Sequence, residues 1–264
     1  MKQVHRSERV HTIALANQKG GVGKTTTAVN LAGELARRGH RVLLIDCDPQ
    51  GNATTSLGIA KQTLQATTYD LLMGSGSIAQ ALITTGREHF DLIPADQELA
   101  GAAVELVSAE QRERRLRNAL EPVRNHYRYI LLDCPPSLGL LTLNALCSAD
   151  QVLIPLQCEY LALEGLAQLK ATLDRVRESL NPSLRILGVV MTMYDGRTNL
   201  AQQVVDEVQR FFPQLIFRTL IPRSVRLSEA PSYGKLIGEY EPQSRSAQAY
   251  SALAEELLQR EERS

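Results

Sequence analysis

The sequence predicts an α/β protein: a single doubly wound, mostly parallel sheet flanked by helices. Three observations predict it. Short apolar runs alternate with longer segments of helical periodicity, the pattern of successive βα units. The run Val42-Leu43-Leu44-Ile45 is apolar without a break, as a strand must be when both faces of its sheet are covered. A glycine-rich segment, Lys19 to Thr26, separates the first apolar run from the first helical pattern.

The elements follow in chain order. His11–Ala16 is a strand-like run, and Lys24–Arg38 carries the first helical pattern. Further strands are expected at Arg41–Asp46, Phe90–Pro94, Tyr129–Asp133, Gln151–Leu156, Ile186–Met193 and Ile216–Leu220. Further helices are expected at Gln97–Val123, Leu140–Cys147, Leu163–Leu180, Asn199–Phe211 and Ser246–Gln259. In the last of these Tyr250, Leu253, Ala254, Leu257 and Leu258 recur at helical spacing, which reads as packing on the sheet. The polar positions there include Glu255, Glu256, Glu261 and Glu262, and such acidity opposes binding to an anionic membrane surface.

The 264 residues suit one large α/β domain, read here as 1–264 with a short N-terminal tail of about ten residues. At 44% hydrophobic and 22% charged, the composition is that of an ordinary soluble globular protein. No apolar run reaches the length of a membrane span, and Met1 to Arg6 lacks the apolar stretch of a signal peptide, so a cytoplasmic protein is expected. Cys47, Cys134, Cys147 and Cys158 include no C-x-x-C pair, so they are expected to be reduced, buried thiols rather than metal or disulfide partners. The 29 basic and 29 acidic residues cancel, so any nucleic-acid binding must come from a local patch.

Strand, glycine-rich loop and helix in that order form a phosphate-binding loop. Gly20, Gly21 and Gly23 let backbone N–H groups curl around phosphate oxygens, with Val22 between them. The helix that follows turns its N-terminal donors and positive dipole end towards the anion. Lys24 reaches the β- and γ-phosphates, and the Thr25 hydroxyl, next to Thr26, is placed to hold Mg²⁺. The loop departs from the ordinary pattern: Gln18 replaces its first glycine, and Lys19 adds a second lysine.

Acidic residues lie at two other strand ends, where ligands bind in open α/β sheets. Asp46 and Asp48 are two apart and so point the same way in extended chain, suited to Mg²⁺-bound water and to the attacking water. Asp133 ends a second apolar strand, the position of a magnesium-coordinating aspartate.

Four ordered blocks resemble the ParA/MinD family of deviant P-loop ATPases. They are K-G-G-V-G-K-T-T (Lys19–Thr26), D-C-D-P-Q-G-N (Asp46–Asn52), D-C-P-P-S (Asp133–Ser137), and I-P-R-S-V-R with E-A-P-S-Y-G-K (Ile221–Lys235). The resemblance runs from Val10 to Gln259 and is nearest to the small ParA/Soj-type chromosome- and plasmid-partitioning ATPases. It implies an ATPase using ATP/ADP and Mg²⁺, with Lys19 crossing a dimer interface to the partner's ATP. Asp48 would orient the hydrolytic water, and Asp46 and Asp133 would serve the metal shell. Pro222 and Ser224 would lie at the adenine, although the family usually has asparagine at the second position. Arg197 and Arg226 match the family's DNA-binding segments.

The implied activity is an ATP-dependent DNA-segregation switch. Its homodimer binds double-stranded DNA nonspecifically, and a ParB/Spo0J-type centromere-binding protein stimulates hydrolysis. That places the protein on the nucleoid, with no membrane partner and no N-terminal DNA-binding extension. A MinD-like membrane-associated regulator and a relative that positions a protein cargo remain alternatives. An iron–sulfur reductase of the nitrogenase type lacks a suitable partner for Cys134. The basic cluster Arg112–Arg117 reads as a solvated helix face with internal ion pairs.

Overall fold

The computed structural model describes residues 10–160 and 162–262, so the N-terminal tail lies outside the described residues. Seven strands form one sheet: β1 (His11–Leu15), β2 (Val42–Asp46), β3 (Ile83–Arg87), β4 (Phe90–Ile93), β5 (Tyr129–Asp133), β6 (Gln151–Gln157) and β7 (Arg185–Thr192). Their spatial order is β3-β4-β2-β5-β1-β6-β7. Every neighbouring pair is parallel except β3 with β4. Helices α1 (Lys24–Arg37), α2 (Asn52–Ser56), α3 (Thr68–Met73), α4 (Ile78–Ala81), α5 (Leu99–Glu105) and α6 (Arg115–Leu120) belong to the first half. Helices α7 (Leu140–Ser148), α8 (Ala162–Ser179), α9 (Asn199–Phe211), α10 (Arg226–Glu229), α11 (Ile237–Tyr240) and α12 (Arg245–Glu262) follow.

The period-two alternation of strand side chains divides the core between the two faces of the sheet. On one face Ile13, Leu15, Leu44, Leu131 and Leu153 pack with Leu31 and Leu35 of α1 and with Tyr250, Leu253 and Leu257 of α12. On the other, Ala14, Leu43, Ile45, Ile130, Leu132 and Ile154 meet apolar residues of α3 and α5 to α9. Each leucine or isoleucine fully buried in these layers contributes roughly 1.5–3 kcal/mol. The apolar stripe of α12 therefore packs on the sheet, as its spacing predicts. Among the described residues no helix is long and apolar enough to cross a membrane.

Two expected elements differ. The Gln97–Val123 segment is not one helix. It breaks after a 3₁₀ turn at Leu106–Ser108, and Gln111 takes a left-handed φ of 50° before α6 begins. Asn144 on α7 holds the break: its side chain accepts from Leu116 N (3.1 Å) and donates to Arg112 O (2.7 Å). Arg112 accordingly sits in the break, paired with Glu113 at 2.8 Å, and not on a helix face. The Ile216–Leu220 run is not a strand either. It follows β7 through isolated bridges at Ile216 and Pro222. Between them Glu256 of α12 takes the N–H groups of Arg218 (2.8 Å) and Thr219 (2.9 Å), so the ladder cannot close. The chain approaches β7 closely at Gly188, where a Cβ would stand 2.5 Å from Leu215 O.

Candidate functional site

The loop after β1 is built from both sides. Gly21 and Gly23 hold φ of 75° and 83°, a left-handed conformation that other residues adopt only with strain. Gly23 precedes α1, which has no side-chain cap and no acid in its first turn. Its first N–H groups have no intrahelical partner and are free to meet an anion. Lys24 is buried and its ammonium donates to Lys19 O at 3.0 Å, lying inside its own loop. Burial lowers its pKa, against Asp133, Cys134 and Asp48, which raise it. Lys19 is exposed on the outer edge, and its ammonium pairs with Glu159.

The acids converge on this loop. In register, Asp133 on β5 lies beside Leu15 on β1 and Asp46 on β2. Asp46 is fully buried and its acceptors are occupied: Thr54 N (2.9 Å) and the Thr54 hydroxyl (2.7 Å) on one oxygen, Asp48 N (3.2 Å) on the other. Burial still raises its pKa to about 6, while the Thr54 and Asp48 donors oppose the rise. Asp133 is equally buried, and neither of its oxygens has a hydrogen-bond partner among the described residues. Burial and then the neighbouring Asp46 push its pKa well up. The Thr25 hydroxyl stands close enough to favour the ionised form without completing a hydrogen bond, and Lys24 acts in the same direction. Asp48 is nearly buried and accepts from Gln50 N at 2.9 Å.

Among the described residues no cluster of three or more His, Cys, Asp or Glu makes a ready metal cage. What exists is a hard-oxygen pair, the Thr25 hydroxyl and an unpartnered carboxylate. That donor set fits Mg²⁺, which keeps most of its waters and shares substrate phosphate oxygens. The thiols Cys47, Cys134 and Cys147 are buried and unbridged, and burial raises the pKa of each.

The remaining predicted residues lie at the adjoining end of β7. Pro222 bridges to Tyr194, and Arg223 N donates to Tyr194 O at 3.0 Å. This joins Pro222 and Arg223 to the residue before the Asp195–Thr198 turn, and Ser224 and Arg226 follow in the chain. Arg197 is exposed and pairs with Asp195 at 2.6 Å; that guanidinium holds the Asp195 carboxyl down at about 2. Arg226 pairs with Glu229 at 2.8 Å and Glu241 at 3.3 Å. Each of these arginines thus has its own local carboxylate.

Four contributors have no sequence signal of their own. Asn17 donates to Pro155 O (2.8 Å) and accepts from Lys19 N (3.0 Å). Thr192 donates to Val22 O at 2.8 Å and lies under Gly23. Thr54 also accepts from Ala95 N at 3.0 Å. Glu159 holds Lys19. Each acts from a different strand end or loop, so only the fold brings them together.

A family profile described as AAA domain matches residues 10–186. The Soj protein of Bacillus subtilis, named a sporulation initiation inhibitor, is 55% identical over 245 residues, covering 93% of this chain and 97% of Soj. The chromosome partitioning protein ParA of Myxococcus xanthus is 52% identical over 249 residues, covering 94% and 88%. A crystal structure named cobyrinic acid a,c-diamide synthase, from Mycobacterium smegmatis with bound ADP and magnesium, superposes with a TM-score of 0.83. It is 37% identical and covers 95% of each chain.

Proposed function

This chain belongs to the ParA/Soj family of chromosome-partitioning ATPases, and from that membership we propose that it is an ATP-dependent DNA-segregation switch. ATP binds at the loop after β1, and two ATP-bound copies associate through their nucleotide faces. The dimer holds double-stranded DNA without sequence preference. A ParB-type centromere-binding partner stimulates hydrolysis, and the dimer then lets go. The protein works in the cytoplasm, on the nucleoid, as a single ATPase domain.

One observation carries this reading: the two loop lysines face different ways. Lys24 is buried inside its own loop, where it serves its own nucleotide. The Lys19 ammonium lies outside, paired with an exposed carboxylate, and is available to a second molecule's phosphates. The N–H groups of Gly20, Gly21, Val22, Gly23, Lys24, Thr25 and Thr26 cradle the phosphates. Asp48, with Gln50 N on one oxygen, orients the attacking water. Thr25 and Asp133 would hold Mg²⁺, which would neutralise charge on the phosphates. Asp46, its oxygens already occupied, supports that shell by fixing the Asp48 loop. Pro222 and Ser224 flank the base, and Arg197 and Arg226 contact DNA phosphates.

The higher identity to partitioning proteins than to the diamide synthase favours segregation over amide synthesis. The packed apolar face of α12 speaks against the membrane-recruited alternative, because it leaves no stripe for lipid. Light scattering with ATP and Mg²⁺, followed by gel shifts on unrelated duplexes, tests the proposal. An ATP-bound species that stays monomeric, or binds no DNA, rejects it. Flotation with liposomes in ATP would reinstate the membrane reading.

A further inference from the structure

Lys19 is secured at two points to the same structural unit. Its N–H donates to the Asn17 side chain at 3.0 Å, and Asn17 in turn donates to Pro155 O on β6 at 2.8 Å. Its ammonium pairs with Glu159, two residues past the end of β6. The two contacts differ in kind. Asn17 is 5% exposed; its bond to Pro155 is buried and its bond to Lys19 partly so, which makes them costly to break. The Lys19 and Glu159 side chains are 56% and 40% exposed, which makes their ion pair weak and exchangeable. The peptide is therefore firmly placed while the ammonium is only parked. Lys24 grips the following peptide, between Lys19 and Gly20, through Lys19 O at 3.0 Å.

We propose that Asn17 and Glu159 are positioning residues for Lys19: Asn17 sets its peptide, and Glu159 parks its ammonium on the subunit's own β6 turn until a second subunit's phosphates replace the carboxylate. This rests on the dimer reading above. The exchange swaps one anion for another, so Lys19 never has to pass through an unpaired state. Glu159 thereby competes with dimerisation, while Asn17 promotes it by aiming the lysine stem.

Glu159→Gln removes the competing charge and keeps the shape. It should lower the ATP concentration for half-maximal dimerisation by up to about five-fold, the range an exposed ion pair allows, with ADP affinity of the monomer unchanged. Asn17→Ala should raise that concentration. Placed on a Lys19→Ala background it should add little, because residues acting through one another are not additive. Sedimentation velocity across an ATP titration reads all four proteins and wild type. If wild type dimerises in a Lys19-dependent way but Glu159→Gln does not shift the curve leftward, the parking role is wrong. If Asn17→Ala costs as much on the Lys19→Ala background as alone, Asn17 acts by general stability and not through Lys19. If wild type forms no ATP-dependent dimer, the dimer reading and this proposal fall together.

Discussion

Asp46 and Asp133 stand side by side on adjacent parallel strands, both fully buried, yet among the described residues only Asp46 has hydrogen-bond donors on its carboxylate. Asp46 is a structural anchor for the loop that carries Asp48, and Asp133 keeps its oxygens open. The Thr54 hydroxyl makes much of that difference.

Thr54→Val tests the anchor. The folded pKa of Asp46, about 6, is above the unfolded carboxyl value of ~3.9. Between those values the native state holds a proton that the unfolded chain has released, so stability falls as pH rises through that window. Removing the hydroxyl penalises the ionised form further. The variant should lose about 1–3 kcal/mol near neutral pH and less at roughly pH 5. Urea unfolding at the two pH values measures it; equal losses would mean that the hydroxyl serves only Ala95 N.

Lys24→Ala should abolish binding of ADP and ATP, since among the described residues Lys24 alone among the lysines is buried, with its ammonium inside the loop. Lys19→Ala should leave nucleotide binding by the monomer within a few-fold of wild type while impairing dimerisation. Titration calorimetry and sedimentation separate the two. An equal loss of affinity in both variants, with dimerisation of Lys19→Ala intact, would sink the division of labour.

Asp48→Ala should bind ATP normally and turn it over at least 10²-fold more slowly, the usual scale for losing a group that positions the attacking water. The expected product is a long-lived ATP dimer on size exclusion. Wild-type turnover would remove Asp48 from the mechanism.

Arg197→Glu and Arg226→Glu should each weaken ATP-dependent DNA binding and make its salt dependence shallower by about 1 in slope, with ATP binding and dimerisation retained. Because both arginines are paired with local carboxylates, Asp195→Asn should free Arg197 and strengthen binding. Gel-shift titrations at two salt concentrations on unrelated duplexes decide it. Unchanged affinity in both charge reversals, or wild-type binding to only one sequence, would falsify the local-patch account.

Contiguous signals were legible in the sequence. The strand Tyr129–Asp133 and the helix Asn199–Phe211 have the boundaries that their periodicity predicts. The loop, its lysines and the strand-end acids form short blocks, readable because their chemistry depends on near neighbours. The misreadings have a common physical cause. The Gln97–Val123 helix is interrupted by Asn144, and the Ile216–Leu220 strand by Glu256, each a polar side chain from a distant helix that captures backbone groups. β3 leaves little trace in the sequence, because I-T-T-G-R carries little apolar signal and is only partly buried at the sheet edge. Thr54, Thr192 and Glu159, and Asn17 in its bond to Pro155, act across strands or loops, and local pattern carries no trace of such contacts.

The Glu256 clasp on Arg218 and Thr219 has a consequence for colloidal behaviour. A bare β7 edge would offer a template on which another molecule's strand could zip, a route to irreversible aggregates. Here the segment beside β7 bonds to it at intervals and surrenders its own N–H groups to a carboxylate. At the opposite margin a register shift between Thr84 and Arg87, with Gly86 at a φ of 76°, bends β3 out of template geometry. With both margins blunted, neither edge of the sheet offers a ready template for strand addition by another molecule.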